Sequence, residues 1–150
     1  MIGLIDIQDE ALAQQVLAVQ RPSYQIESRL IKYPNLPPLF ETIADLQKSG
    51  ESFVGYWLAG QLAGVLSYEA TDEGIHIDRL VVHPDYFRRG IGRAMLRWVE
   101  TAVPSALHIT VSTAVKNQPA VQLYQSEGYT IVQYTTLPDG LELVLLRKEF

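Results

Sequence analysis

The residues Leu80-Val81-Val82-His83-Pro84-Asp85-Tyr86-Phe87-Arg88-Arg89-Gly90-Ile91-Gly92-Arg93-Ala94-Met95-Leu96 carry an apolar strand up to a proline. A turn with two arginines and two glycines follows and leads straight into an amphipathic helix. Such a turn leaves the first backbone N–H groups of the helix without intrahelical partners, at the end where the helix dipole favours negative charge. Gly90 and Gly92 have no Cβ, so an anionic ligand can approach the main chain closely. The segment predicts a phosphate cradle.

Upstream of the turn, Gly74–Val82 reads as a strand that alternates at first and then becomes wholly apolar, as on entry into a doubly covered sheet centre. Ser52–Ala59 and Gln61–Ala70 read as two strands of a hairpin joined at Gly60-Gln61. Nearer the start, Ile2–Ile7 is a strand, and Asp9 caps a helix through about Val19 with Leu12, Val16 and Val19 at helical spacing. Residues 21–38, punctuated by Pro22, Pro34, Pro37 and Pro38, read as irregular; a second helix is expected over Pro38–Gln47. Downstream, the helix after Gly90 places Ile91, Met95, Trp98 and Ala102 on one face, and Pro104 stops it. Ala106–Thr113 is a strand, Asn117–Ser126 a helix closed by Gly128, and Tyr129–Thr136 with Leu141–Lys148 a last hairpin across Pro138-Asp139-Gly140. The order β-α-α-β-β-β-α-β-α-β-β predicts a mixed sheet flanked by helices, in a single domain over residues 1–150.

Composition narrows the function. Hydrophobic residues make up 47% of the 150, which excludes disorder. A net charge of −5 argues against nucleic acid as the main partner, since phosphate neutralisation needs basic surface. The absence of cysteine excludes disulfides, thiolate nucleophiles and cysteine zinc sites, and no spacing supports a metal. No signal-peptide pattern and no apolar run of about 18 residues is present, so a soluble protein without a membrane partner is expected, in the cytoplasm.

Taken alone, Gly-x-Gly before a helix is also explained by tight packing. A dinucleotide site wants a third glycine where this chain has Met95, and wants the first strand of a βαβ unit rather than a third antiparallel one. A P-loop needs Gly-Lys-Ser/Thr, which is missing. Val82-x-Pro84 followed by Tyr86-Phe87-Arg88-Arg89-Gly90-Ile91-Gly92 resembles the acetyl-CoA-binding signature of the GNAT superfamily of N-acetyltransferases. Farther on, Asn117-Gln118-Pro119-Ala120-Val121-Gln122-Leu123-Tyr124-Gln125-Ser126-Glu127-Gly128-Tyr129 is similar to the second signature of that family. Two signatures in the right order are far more specific than either one.

The resemblance implies an α/β (α+β) fold of GNAT type, a mixed but mostly antiparallel six- to seven-stranded sheet flanked by about four helices. It also implies acetyl-CoA as acyl donor. Main-chain groups around Leu80, Val81 and Val82 would pair with the pantetheine arm. N–H groups from Arg88 and Arg89 through Gly90, Ile91 and Gly92 to Arg93 would hold the pyrophosphate, with the three arginines adding charge. Asn117 would bond the pantetheine amide, although helix capping alone explains an asparagine there. Ala120 and Tyr124 share a helix face, and the resemblance gives Tyr124 a catalytic role, hydrogen bonding the departing thiolate. The family usually has glutamine or arginine where this chain has Phe87, so the cradle rests on backbone and arginine.

An alkyl amine with a pKa near 10.4 is less than about 0.1% neutral at pH 7, so a base must take its proton. His76 lies fourteen residues before Gly90, where some members of the family carry a glutamate base. By alternation His76, Asp78, Leu80 and Val82 share one strand face, absent a bulge. Glu69 or ordered water are the alternatives; His83 and His108 are less suited. The resemblance implies acetyl transfer to a primary amine of a small molecule by direct attack in a ternary complex, through a tetrahedral intermediate held by the N–H of about Val82. Acceptor walls are expected in Tyr24–Phe40 and Tyr134–Leu141, with Glu27 and Glu41 as cation partners. Two other readings stay open: a non-catalytic CoA-binding or regulatory module, and a peptide or protein N-terminal acetyltransferase. A homodimer is compatible with all three.

Overall fold

In the computed structural model, which describes residues 1–150, seven strands form one sheet in the order β1-β2-β3-β4-β5-β7-β6. These are β1 (Ile2–Ile5), β2 (Ser52–Leu58), β3 (Gln61–Ala70), β4 (Gly74–Val82), β5 (His108–Ala114), β6 (Thr130–Thr136) and β7 (Glu142–Glu149). Only β4 and β5 run parallel; every other neighbouring pair is antiparallel. Four α-helices flank the sheet: α1 (Glu10–Ile31), α2 (Ile43–Lys48), α3 (Ile91–Ala102) and α4 (Gln118–Ser126). Helices α1 and α2 bury Val16, Leu17, Tyr24 and Leu46 against Phe53, Val65 and Val81 on one face. Helices α3 and α4 bury Met95, Leu96, Val99 and Val121 against Ile75, Ile77, Ile109 and Leu146 on the other. The mixed sheet with helices on both faces matches the expected fold class.

The first helix departs from the sequence reading. It runs through Pro22 for 22 residues instead of stopping near Val19. Ala13, Val16, Leu17, Gln20, Tyr24 and Ile31 keep helical spacing across the proline and are all buried. That packing outweighs a lost hydrogen bond and a ring clash worth about 3 kcal/mol. The stretch expected as irregular thereby carries half the helix, with Tyr24 and Glu27 on it. The second helix also starts later than expected. Pro37–Phe40 forms a separate 3-10 turn, and Thr42 with Asp45 makes a capping box that starts α2 at Ile43. The β2–β3 turn falls on Ala59 and Gly60, both at positive φ as a type I′ turn requires. On α3 the buried stripe is Ile91, Met95, Leu96 and Val99, while Ala102 is exposed.

Two irregularities in β4 set up the site. Ser67 pairs with Arg79 and Tyr68 with Ile77, so Asp78 is an extra residue, a β-bulge. Ile75 and Ile77 face α3 and α4 before the bulge, and Leu80 and Val82 pack on that same side after it. Val81 faces α1. The bulge therefore breaks the alternation that would have put His76, Asp78, Leu80 and Val82 on one face. Pairing of β4 with β5 ends at Ile77–Val111, and beyond it the two strands part. A gap thus opens in the middle of the sheet.

Candidate active site

Two cavities meet across this gap. The first, about 410 Å³, is lined by Leu80 and Val82 of β4, the whole turn Tyr86–Arg93, and Asn117, Pro119, Ala120, Leu123 and Tyr124 of α4. Pro84–Tyr86 is a 3-10 turn that ends the strand. Arg88 and Gly90 then both take positive φ, 64° and 73°, to bring the chain round into α3. No side chain caps α3, and its first internal backbone bond is Ala94 N–H to Gly90 C=O at 3.0 Å. The N–H groups preceding Ala94 are therefore left for a ligand. A Cβ on Gly92 would meet only Leu123 Cδ2 at 3.5 Å, an ordinary contact, so the protein's own packing does not demand glycine there. This cradle suits a pyrophosphate. Gly92→Val should therefore weaken acetyl-CoA binding about 10-fold or more, roughly 1.4 kcal/mol, while the melting temperature stays close to wild type; calorimetric titration and a thermal melt read the two effects.

The arginines differ. Arg88 and Arg89 are exposed, with the Arg89 guanidinium 5.5 Å from the Tyr86 ring centre. Arg93 is held by α4, donating to Ser126 at 3.0 Å and pairing with Glu127 at 3.2 Å, so its side chain braces the two helices. Phe87 is 42% exposed and lines the same cavity. On β4 the His83 N–H donates to Ala63 on β3 at 2.8 Å. Strand alternation then turns the N–H groups of Val82 and Leu80 toward the gap. Val81 points its side chain into the α1 core and lines no cavity.

The second cavity, about 200 Å³, lies on the α1 side. Tyr24, Glu27 and Ile31 of α1, Leu36, Pro38, Asp78–Leu80, Val111–Ala114, Leu141 and Leu143 line it, together with Ala120 and Tyr124. Leu80, Ala120 and Tyr124 belong to both cavities and mark where they join. Asn117 stands at this junction. Its Oδ1 accepts from the Ala120 N–H at 3.3 Å, capping α4, and its Nδ2 donates to Glu27. Burial pushes the Glu27 carboxyl above its ordinary pKa, and the Asn117 bond pulls the other way.

Asp78 is pushed up to about 7. The residue keeps an exposed face, and partial desolvation of the rest contributes most, then its pairing with the Glu69 carboxyl and the nearby charges of Glu51 and Glu69, with Arg79 opposing. The bulge puts this acid on the cavity wall. His76 sits elsewhere, its Nδ1 2.8 Å from Thr110 Oγ1, and lines neither cavity. Burial lowers its pKa, with Glu69 opposing. Burial raises Tyr124 well above the usual tyrosine value, and the charge of Glu27 adds to the shift. The phenol stays protonated, suited to donating a hydrogen bond and ill suited to losing its proton.

Glu41, expected as a cation partner for the acceptor, is committed inside the protein. The Arg79 guanidinium donates to Glu41 at 2.8 Å and 3.3 Å, to Glu51 at 3.0 Å from both Nε and NH2, to Gln20 at 2.9 Å and to Ser67 at 2.9 Å. It also lies 5.2 Å from the Phe53 ring centre. This buried network ties α1, the Pro37–Phe40 turn, β2, β3 and β4 together. Sequence reading missed it; the one signal was an arginine inside the apolar run Ile77–Val82. Ser112 and Thr113 were also missed, because only the parting of β4 from β5 exposes them to a cavity, whereas Tyr24 lies in a stretch expected as an acceptor wall.

Residues 13–129 match the family model described as Acetyltransferase (GNAT) family, so the chain belongs to the GNAT acetyltransferase family. It is 42% identical over 143 residues, 95% of its length, to the UPF0157 protein YqkA of Bacillus subtilis (strain 168), of which it covers 42%. It is 33% identical over 76 residues, 51% of its length, to the peptidyl-lysine N-acetyltransferase YiaC of Escherichia coli (strain K12), of which the match covers 50%. The chain thus spans half or less of each curated relative. The fold is shared with an aminoglycoside 6'-N-acetyltransferase complexed with coenzyme A, at a TM-score of 0.77 and 16% identity over 99% of this chain and 96% of that one. No helix is long and apolar enough to cross a membrane.

Proposed function

We propose that the chain transfers an acetyl group from acetyl-CoA to a primary amine of a small molecule within a ternary complex. One observation carries this reading: the phosphate-cradle cavity and the acid-lined cavity meet at Leu80, Ala120 and Tyr124, so a donor and an acceptor can be held at once. The cradle fits the donor through the free N–H groups of α3, the open space at Gly92, and Arg88 and Arg89. Bound there, acetyl-CoA supplies an activated acyl thioester.

The chain's own groups do the rest. Asp78 takes the proton of the acceptor ammonium, directly or through water, because its raised pKa suits exchange near neutrality. The N–H of Val82 faces the gap and stabilises negative charge that develops on a carbonyl oxygen. Tyr124 hydrogen-bonds the departing sulfur. Full transfer from the phenol to the sulfur is uphill, since tyrosine near 10 exceeds a thiol near 8.5 by roughly 2 kcal/mol before burial widens the difference.

Following thiol release from acetyl-CoA over a panel of amines tests the proposal. A panel in which no amine raises release above slow hydrolysis would favour a CoA-binding module instead. With an active amine, Tyr124→Phe should lower kcat on the order of 10-fold or more, the loss of one hydrogen bond to a charged atom. Acetyl-CoA affinity should stay near wild type, and unchanged turnover would remove Tyr124 from the reaction.

A further inference from the structure

The charges around the acceptor cavity do not balance. Glu27 and Asp78 line it, Glu69 pairs with Asp78, and Glu41 and Glu51 sit behind it around Arg79. Arg79 is the only cationic side chain in the wall. A guanidinium has five N–H groups, and those of Arg79 are taken up by Glu41, Glu51, Gln20 and Ser67. No donor remains in it for a carboxylate on an acceptor. Glu27 is tied to the donor side, since its partner Asn117 lines the first cavity. Asn117 occupies one of its oxygens and leaves the second to the cavity.

The remaining wall carries no charge: the apolar side chains of Ile31, Leu36, Pro38, Val111, Leu141 and Leu143 stand beside the hydroxyl residues Tyr24, Ser112, Thr113 and Tyr124. A volume of about 200 Å³ takes roughly six or seven groups of water size, at about 30 Å³ each. An unbranched amine arm of about four or five carbons fits within it. Resting on the acetyl-transfer reading above, we propose that Glu27 determines acceptor specificity. It anchors an aliphatic ammonium arm and turns away any amine with a carboxylate on the adjacent carbon. The ammonium supplies Glu27 with a cation, since Arg79 is committed to Glu41 and Glu51. Such an arm comes either from a free alkylamine or from a lysine side chain of a peptide.

The experiment measures binding and turnover with the full chain. Binding of n-pentylamine, norleucine and a capped lysine peptide is titrated calorimetrically onto the CoA-saturated protein, and acetyl transfer is followed separately. Pentylamine or the lysine peptide should bind on the order of 10-fold or more tightly than norleucine. Binding of pentylamine alone identifies the free amine as the source; binding of the peptide alone identifies peptidyl lysine. Glu27→Gln keeps an oxygen for Asn117, so the α1–α4 contact survives, which a thermal melt checks. The variant should weaken amine binding on the order of 10-fold, raise KM, change kcat less than about threefold and erase the discrimination against norleucine. Glu27→Asp should restore part of the discrimination. Unchanged amine affinity in Glu27→Gln, equal binding of norleucine, or a fall in kcat with KM constant each overturns the proposal. Amine binding that depends on Glu27 without any acetyl transfer would leave the anchor standing and sink the acetyl-transfer reading instead.

Discussion

Asp78→Asn should lower kcat with a working amine by about 10²- to 10⁴-fold, the usual contribution of a positioned general base. Asparagine matches aspartate in shape and can occupy the same bulge, so the fold should persist. The pH profile gives the sharper check. In the wild type, log kcat should rise with pH up to about 7, where Asp78 loses its proton, and then level off. The variant should lose that rise. A profile that keeps its acidic limb in Asp78→Asn would return the role to water or to His76, and His76→Ala is expected to leave the profile as it is. The same acid predicts a stability effect. Its pKa in the folded chain lies above the ordinary 3.8, so the folded state binds this proton more tightly than the unfolded state. That contribution is complete below about pH 4 and is lost as the pH rises through 7. Denaturation midpoints across this window should therefore fall less steeply in Asp78→Asn than in the wild type.

Arg79→Met should destabilise the fold by about 3–5 kcal/mol, because it leaves Glu41 and Glu51 without their cation. At roughly 2–4 °C per kcal/mol for a chain of this size, the melting temperature should drop by about 10 °C. The charge, rather than the volume, is at stake. Adding Glu41→Gln and Glu51→Gln to Arg79→Met should recover much of the loss, since an apolar or neutral replacement of a whole buried ion cluster is often tolerated. A drop of less than about 3 °C in the single variant, about 1 kcal/mol on that scale, would mean that water reaches the network.

The turn Arg88–Arg93 was legible because its chemistry is local: glycine, positive φ and a helix start are all encoded within a few positions. The strands were legible from their alternation, and Asn117 from its place as a cap. Helix α1 departs from the local pattern at Pro22, where a local penalty is outweighed by burial of Ile31 and by Tyr24, packed in a core that the local pattern does not display. The second cavity was legible only as a region. Glu27 and Glu41 carry the same side chain, yet one lines the cavity and the other is bound to Arg79, 38 residues away along the chain. Their difference comes from tertiary pairing, which no window around either residue contains.

The bulge at Asp78 has a consequence for any engineering of β4. The strand is written in two reading frames, one ending at Ile77 and the other starting at Arg79. Odd positions before the shift and even positions after it serve the same layer. A substitution scan that assumes one frame would exchange inside for outside along half of the strand. Asp78 itself belongs to neither frame. A residue that the alternation assigns to neither face is free to lie at the lip of the gap, so the same single insertion that offsets the strand also gives the site its acid.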